Sequence, residues 1–200
     1  MRRLIAAAIL LAGTSLMAHA TTEQREGFFD PASGQFVTYA SLRMPVGMSG
    51  AGFTPIPREE VDFRTGERPG SIVINTQERR LYLVLGNGRA MRYGVGVGRE
   101  GFSWGGVQTV TAKAEWPDWR PPAQMLRRRP DLPRFMPGGM ENPLGARALY
   151  LGSTLFRIHG SNEPHTIGQA VSSGCFRMTN DDVSDLYERV RVGARVVVMR

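Results

Sequence analysis

The only cysteine of the chain, Cys175, and a histidine sixteen residues before it have the residue types and spacing that could support chemistry. Cys175 lies in the run Ser-Ser-Gly-Cys-Phe-Arg-Met at 172–178, and His159 lies in the run Phe-Arg-Ile-His-Gly at 156–160. A cysteine attacks as its thiolate, which needs a positive or proton-accepting neighbour to form near neutral pH. The pair indicates a cysteine nucleophile with a histidine base. A buried structural cysteine is the alternative, and spacing alone leaves both open.

Three features of the sequence favour the nucleophile. His19 lies in a segment expected to be cleaved, so the mature chain keeps only His159 and His165, both near Cys175. Cys175 is flanked by glycine and small polar residues rather than by the branched apolar residues of a core. An unpaired thiol in an exported protein is also a liability unless it is used, because it is open to oxidation outside the cytoplasm.

The first twenty residues have the organisation of a secretory signal peptide. Two arginines follow Met1, residues 4–17 form a nearly uncharged apolar stretch, and Ala18-His19-Ala20 matches a small-x-small cleavage site. The apolar stretch is shorter than the roughly 20 residues that a membrane-spanning helix needs. We therefore expect residues 1–20 to be removed on export to the periplasm, with no membrane span in the mature protein.

The rest of the chain is predicted to be a leader followed by one domain. Residues 21–67 are rich in Gly, Pro, Ser and Thr without sustained periodicity, so they are interpreted as a leader or linker. Residues 68–200 carry the regular patterns and have the size of one domain. The formal net charge is +7, but no aromatic-basic stripe indicates nucleic-acid binding, so a carboxylate-rich substrate outside the cytoplasm explains the charge better.

The elements that position Cys175 and His159 are predicted to be mostly strands. Apolar, β-branched runs separated by Gly/Asn turns are typical of hairpins, and His159 falls at the end of one such run. Thr179 followed by Asp182 is typical of a helix start, and a single apolar face follows it. The fold is therefore predicted to be mainly β with one main helix after the cysteine. The predicted strands cover 71–75, 80–85, 90–97, 108–114, 148–151, 155–159 and 194–199.

Residues 116–145 form a long proline-rich and arginine-rich stretch. It is predicted to be mostly an ordered loop, with a short helix after the prolines at 121–122. Long loops of this kind often act as lids or binding loops, and a plain surface excursion is the alternative.

From about residue 69 to residue 199 the chain resembles the L,D-transpeptidase catalytic domain family (YkuD-type), the cysteine enzymes that crosslink bacterial peptidoglycan. The resemblance rests on the strands at 71–85, on Ile-His-Gly-Ser-Asn-Glu-Pro at 158–164, and on 172–178, which is similar to the family's Ser-His-Gly-Cys-x-Arg segment. It implies a β-sandwich or barrel-like fold with one main helix after the catalytic cysteine. The signal peptide and the Cys-x-Arg variant resemble the Gram-negative periplasmic members.

The resemblance also implies a two-step acyl transfer. His159 would accept the proton of Cys175, whose thiolate would attack the carbonyl before the terminal D-Ala of a tetrapeptide stem. The backbone N–H groups of Ser173, Gly174 and Cys175 would hold the oxyanion, and the Gly160 carbonyl would orient the imidazole. Ser173 departs from the family pattern, because that position is usually histidine; this leaves His159 as the candidate base.

Three further residues are candidates for binding substrate. Arg177 matches the family position and could pair with a stem-peptide carboxylate, with a structural salt bridge as the alternative. Tyr93 and Trp119 are candidates for lining the donor groove, and for both of them simple packing is the alternative. His165 is interpreted as a loop residue.

The identity of the acceptor stays open at the level of sequence. The amine could come from another stem peptide, giving 3-3 crosslinks, from an outer-membrane protein or lipoprotein that becomes tethered to the wall, or from a free D-amino acid. A hydrolase on the same scaffold, either an L,D-carboxypeptidase or an enzyme that releases wall proteins, and a non-catalytic peptidoglycan-binding module are the alternatives. No cofactor is expected, and one cysteine with two histidines does not make a plausible metal site.

Overall fold

The computed structural model describes residues 56–200 and, nearer the N-terminus, the backbone of two short strands. The chain divides into two compact units, Met1–Arg43 and Met44–Arg200. In the first unit, strands β1 (Gly27–Asp30) and β2 (Gln35–Thr38) pair antiparallel. The signal peptide predicted at residues 1–20 lies outside the described residues.

The described part of the second unit is mainly β, with one main helix, as the sequence predicts. Its helices are α1 (Ala123–Arg128) and α2 (Asn180–Arg189), with a 3-10 turn at Pro164–Thr166. No helix in the described part of the chain is long and apolar enough to span a membrane. The strands are β3 (Glu59–Asp62), β4 (Ile72–Asn75), β5 (Arg80–Gly86), β6 (Arg89–Gly94), β7 (Val97–Gly98), β8 (Gly106–Glu115), β9 (Arg147–Leu151), β10 (Arg157–His159), β11 (Ala170–Ser172), β12 (Phe176–Arg177) and β13 (Arg195–Met199).

Nine of these strands form one mixed sheet in the order β12-β10-β9-β8-β13-β4-β5-β6-β3. The pairs β10–β12 and β13–β4 are parallel, and the other neighbours are antiparallel. The β5–β6 hairpin turns through Asn87 and Gly88, whose φ angles of 52° and 70° are both positive. A two-residue type I′ loop requires this, and Asn-Gly supplies it at little cost. A second, two-stranded parallel sheet joins β11 to β7.

Helix α2 packs its apolar face onto the sheet and is capped at both ends. Val183, Leu186 and Val190 are fully buried on that face. At the N-terminus the Thr179 hydroxyl accepts a hydrogen bond from the Asp182 N–H (3.1 Å), as the capping pattern predicts. At the C-terminus Lys113 of β8 donates to the carbonyls of residues 187 and 190, at 2.5 and 2.8 Å. Lys113 therefore satisfies carbonyls that the helix end leaves without intrahelical partners.

The structure differs from the predicted elements at several points. The run 90–97 is divided, because Gly96 leaves the hairpin to exchange backbone hydrogen bonds with Arg177. The strand predicted at 155–159 begins only at Arg157, because the Thr154 hydroxyl accepts the Phe156 N–H in a turn. Strand β3 pairs with β6 although it lies within 21–67, the segment interpreted as a leader, so the sheet extends into that segment.

Candidate active site

The parallel strands β10 and β12 position both residues of the predicted catalytic pair. Their register places Ile158 opposite Phe176 and His159 opposite Arg177. Ile158 and Phe176 are fully buried in the core. Because successive side chains of a strand alternate between its faces, His159 and Arg177 point to the opposite side. Cys175 immediately precedes β12, so it lies at the same sheet edge as His159.

The His159 imidazole is held in a defined tautomer. Its side chain is buried, and Nδ1 lies 2.6 Å from the Gly160 carbonyl oxygen. A carbonyl only accepts hydrogen bonds, so Nδ1 carries the proton and Nε2 is left as the basic nitrogen. Burial, together with the positive charges of Arg177 and Arg157, lowers the pKa of His159 to about 3, although the hydrogen bond to Gly160 acts to raise it. The ring is therefore neutral at physiological pH and able to accept a proton.

The Cys175 thiol is also neutral in the resting protein. It is half-buried, and its sulfur lies 3.7 Å from the Leu155 carbonyl oxygen. Burial raises the pKa of the thiol, while the Arg157 backbone N–H and the charges of Arg157 and Arg177 oppose that rise. The positive neighbours expected from the sequence are thus present, but burial outweighs them. The resting pair is a thiol and a neutral imidazole rather than an ion pair.

The turn before Cys175 is fixed by glycine and by a serine hydroxyl. Gly174 has a φ of +106°, a backbone conformation that residues with a side chain rarely adopt. A Cβ at this position would lie 2.6 Å from the Phe156 ring. The Ser172 hydroxyl accepts from the Gly174 N–H (3.1 Å) and donates to the Cys175 carbonyl (2.6 Å). Ser172 thus braces both sides of the turn, and it was not singled out by the sequence analysis.

This bracing corrects one expectation about the oxyanion hole. The Gly174 N–H, predicted to donate to the oxyanion, is already engaged by Ser172. Within the described part of the chain, the backbone hydrogen bonds assign no acceptor to the N–H groups of Ser173 and Cys175. Of the three predicted donors, these two N–H groups therefore remain available to a bound group.

An aromatic wall supports the turn from the other side. The Trp104 indole N–H donates to the Gly174 carbonyl (2.8 Å). The Trp104 ring stacks on Phe156 with centroids 4.5 Å apart and tilts against Phe176 at 5.5 Å. Trp104 and Gly174 are 70 positions apart in sequence, so no local pattern could have identified this contact.

Arg177 is engaged within the protein. One guanidinium nitrogen lies 2.6 Å from the Glu163 carboxylate, and the two side chains are only 22% and 19% exposed. The structural salt bridge considered as an alternative for Arg177 is therefore present. Glu163 lies in the segment 158–164 on which the family resemblance rests, but the sequence analysis assigned it no role.

The segment after His159 packs tightly against the start of α2. A Cβ on Gly160 would lie 2.3 Å from the Asn180 side-chain oxygen, so there is no room for a side chain at this position. That oxygen accepts a hydrogen bond from the Ala146 N–H (2.9 Å). Asn180 thereby joins the first turn of α2 to the backbone just before β9, and its side chain packs against Gly160.

The two aromatic candidates for the donor groove are held in different parts of the fold. Tyr93 is fully buried in the core, where its hydroxyl donates to Asp185 (2.6 Å) and burial raises its pKa. It has no surface to offer a substrate, because the apolar part of its ring is needed to fill the core. Trp119 is half-buried in the 116–145 loop and exchanges backbone hydrogen bonds with Met136 across that loop. His165 is in the 3-10 turn and is half-buried.

The assembled groups can perform nucleophilic acyl chemistry. The site offers a single thiol, a neutral imidazole with its basic nitrogen available, and backbone donors at a glycine turn. In the described part of the chain, no cluster of three or more His, Cys, Asp or Glu side chains is arranged to hold a metal ion.

Comparison with known proteins identifies a family match over most of the second unit. The profile of the L,D-transpeptidase catalytic domain family, YkuD, matches residues 69–198. A curated relative, the probable L,D-transpeptidase ErfK/SrfK of Escherichia coli (strain K12), is 39% identical over 137 residues, which cover 64% of this chain and 43% of the relative. The matched region thus spans less than half the length of that relative.

Solved structures agree on the fold. A chain from Brucella melitensis is 46% identical, covers 74% of this chain and 96% of its own length, and has a TM-score of 0.50. Its title names a probable carnitine operon oxidoreductase, a different activity for that protein. An L,D-transpeptidase from Mycobacterium smegmatis is 17% identical, with a TM-score of 0.53 over 64% of this chain and 58% of its own. At that identity the likeness concerns the fold alone.

Proposed function

The chain belongs to the L,D-transpeptidase catalytic domain family, and from this membership we propose that it is a peptidoglycan L,D-transpeptidase with Cys175 as nucleophile. The observation that carries the proposal is the hydrogen bond from His159 Nδ1 to the Gly160 carbonyl (2.6 Å). It leaves Nε2 as the base, on the strand end beside the cysteine turn. A purely structural cysteine would not call for an oriented, neutral histidine at this edge.

In the proposed first step His159 Nε2 accepts the Cys175 proton as the sulfur attacks the carbonyl carbon of the bond to the terminal D-Ala. The N–H groups of Ser173 and Cys175 stabilise the oxyanion; a donor of this kind is typically worth about 3 kcal/mol of barrier. The imidazolium then gives its proton to the leaving D-Ala nitrogen as the C–N bond breaks. The stem peptide is left as a thioester on Cys175.

In the second step an amine attacks the thioester carbonyl and loses a proton to His159. The C–S bond breaks, and the proton returns from the imidazolium to the Cys175 sulfur. The neutral resting pair suits this cycle, because it is regenerated at the end without a net change in charge. Each step needs proton transfer by the same positioned ring, a contribution of about 10²–10⁴-fold in rate.

The proposed substrates are peptidoglycan stem peptides in the periplasm. The N-terminal segment with the organisation of a signal peptide and the net charge of +7 support an exported enzyme acting on a carboxylate-rich polymer. The acceptor is either another stem peptide or the amine of an outer-membrane protein. A thiol–disulfide oxidoreductase function is disfavoured, because the sequence has no second cysteine with which Cys175 could form a disulfide.

Product analysis with a tetrapeptide stem tests this proposal against the hydrolase alternative. We expect release of D-Ala and formation of a product joined to an added amine, detected by mass spectrometry. Release of D-Ala with only the free tripeptide, even at high amine concentration, would assign hydrolysis instead. Absence of any D-Ala release would overturn the acyl-transfer function.

A further inference from the structure

The Glu163–Arg177 ion pair joins the two ends of the loop that connects His159 to Cys175. Glu163 lies four residues after the histidine, and Arg177 lies two residues after the cysteine. Their contact of 2.6 Å is between side chains that are about four-fifths buried. Such a pair is screened little by solvent, so its charges act on their neighbours more strongly than those of a surface pair.

The backbone of Arg177 is held independently of Glu163. Its backbone N–H donates to Gly96 and its carbonyl accepts from Gly96, both at 2.9 Å, while the β10–β12 register fixes it opposite His159. A Cβ built on Gly96 would lie 3.4 Å from the Arg177 Cβ, so the Gly96 backbone packs closely against the base of the side chain. Changing Glu163 to a neutral residue of the same shape therefore removes a charge and leaves the backbone of Arg177 in place.

The charged groups around Cys175 are mostly positive. Arg157 on β10 and Arg177 on β12 both act on the sulfur and on the His159 ring. Arg99 and Arg128 lie over the Phe102 ring at 4.3 and 5.0 Å, and the backbone carbonyl of that phenylalanine approaches Gly174. The Glu163 carboxylate is the negative group paired with Arg177. His165, a further titratable group of this loop, lies in the 3-10 turn that follows Glu163.

We propose that Glu163 is a positioning residue for the acyl transfer that acts through Arg177: its carboxylate pairs with the guanidinium beside the catalytic pair and offsets the positive charge that Arg177 presents to Cys175. The inference rests on the proposed function, in which Cys175 is the nucleophile. A protonated resting thiol is protected from oxidation outside the cytoplasm, since the thiolate is the form that oxidants attack. The thiolate then forms only as His159 takes the proton during acylation.

Alkylation of Cys175 by iodoacetamide across pH 5 to 10, quantified by mass spectrometry, tests the proposal without any substrate. Glu163→Gln keeps the hydrogen-bond acceptor and removes the charge. We expect the midpoint of its alkylation profile to fall by about one pH unit, the usual scale for one nearby charge. Labelling at neutral pH then becomes about tenfold faster. Glu163→Asp, which keeps the carboxylate, should remain close to the wild-type profile.

Glu67→Gln is the matched control, because Glu67 makes a similar pair with Arg195 (3.0 Å) away from the cysteine. It should leave the profile unchanged. Arg177→Met should move the midpoint upward, and it tests the same pair if Glu163→Gln folds poorly. A midpoint in Glu163→Gln that stays unchanged or rises would overturn the proposal. Alkylation needs no stem peptide, so it can be measured even if the protein transfers no acyl group. A lowered midpoint in Glu163→Gln together with no acyl transfer would reject the proposed function but would still support the effect of Glu163 on the thiol.

Discussion

The catalytic pair is neutral because His159 is buried and Cys175 is half-buried, and the surrounding arginines act on the two groups in opposite ways. The positive charges of Arg157 and Arg177 disfavour an imidazolium at His159 and favour a thiolate at Cys175. Burial disfavours the charged form of both. Proton transfer from sulfur to nitrogen therefore has to be driven by the attack on a substrate carbonyl rather than completed beforehand.

The two serines before Gly174 are expected to differ sharply when each is replaced by alanine. Ser172→Ala removes the partner of the buried Gly174 N–H and of the Cys175 carbonyl, which costs about 1–3 kcal/mol for an unsatisfied buried group. We expect acylation by a carbapenem to slow by about tenfold or more, since tenfold corresponds to about 1.4 kcal/mol. Ser173→Ala keeps the backbone donor and should remain within about threefold of wild type.

The acylation rates of the two variants, measured by stopped-flow fluorescence, show which serine hydroxyl the reaction depends on. A larger loss in Ser173→Ala than in Ser172→Ala would show that the Ser173 hydroxyl takes part in catalysis.

At the scale of elements, the strands that the sequence predicts are the ones whose signal is local. The β-branched run at 71–75 and the Asn-Gly turn at 87–88 are sufficient for β4 and the β5–β6 hairpin. Strands β11 and β12 have only three and two residues and exist because distant backbone pairs with them. No local pattern specifies such strands, so the sequence analysis did not find them.

The site divides in the same way as the fold. Cys175, His159 and the glycines follow from residue type and motif, whereas Glu163, Trp104 and Ser172 act through contacts made only in the folded chain. Tyr93 was a candidate for lining the donor groove with packing as the alternative, because residue type alone fits a groove as well as a core. The folded structure places Tyr93 in the core, where its hydroxyl donates to Asp185, 92 positions away in the sequence.

Lys113 is expected to stabilise α2 rather than to act on the site. Lys113→Met removes two hydrogen bonds to carbonyls at the end of the helix and a cation–π contact in which Nζ lies 3.9 Å from the centre of the Tyr187 ring. We expect the free energy of unfolding in urea to fall by about 1–3 kcal/mol. The rate of Cys175 alkylation should not change. Lys113→Arg, which keeps charge and donors, should recover most of the stability, and a Lys113→Met protein as stable as wild type would contradict this role.

At the scale of the whole molecule, the buried histidine links stability to acid. The pKa of His159 is lowered from 6.5 to about 3 in the folded protein. Between pH 6.5 and pH 3 the unfolded chain therefore binds a proton at this residue, whereas the folded chain does not. The free energy of unfolding should therefore be fully maintained above about pH 6.5 and fall as the pH drops towards 3. The slope from this one group is at most about 1.4 kcal/mol per pH unit.

His159→Gln isolates that contribution, because glutamine does not titrate. Urea unfolding of both proteins at pH 7, 6, 5 and 4 should show a wild-type stability that falls more steeply than that of the variant. Parallel stability curves would mean that His159 binds its proton in the folded state as readily as in the unfolded chain. That result would contradict the buried, neutral imidazole on which the proposed base depends.

The assignment of Cys175 as the nucleophile of an acyl transfer can be tested by the mass of the protein after incubation with a tetrapeptide stem. We expect an adduct with the mass of the stem lacking its terminal D-Ala, located on the peptide that contains Cys175 and absent from Cys175→Ala. The variant should remain folded, because a small residue is tolerated beside Gly174. D-Ala release by Cys175→Ala within about tenfold of the wild-type rate, or an adduct on another residue, would contradict the account.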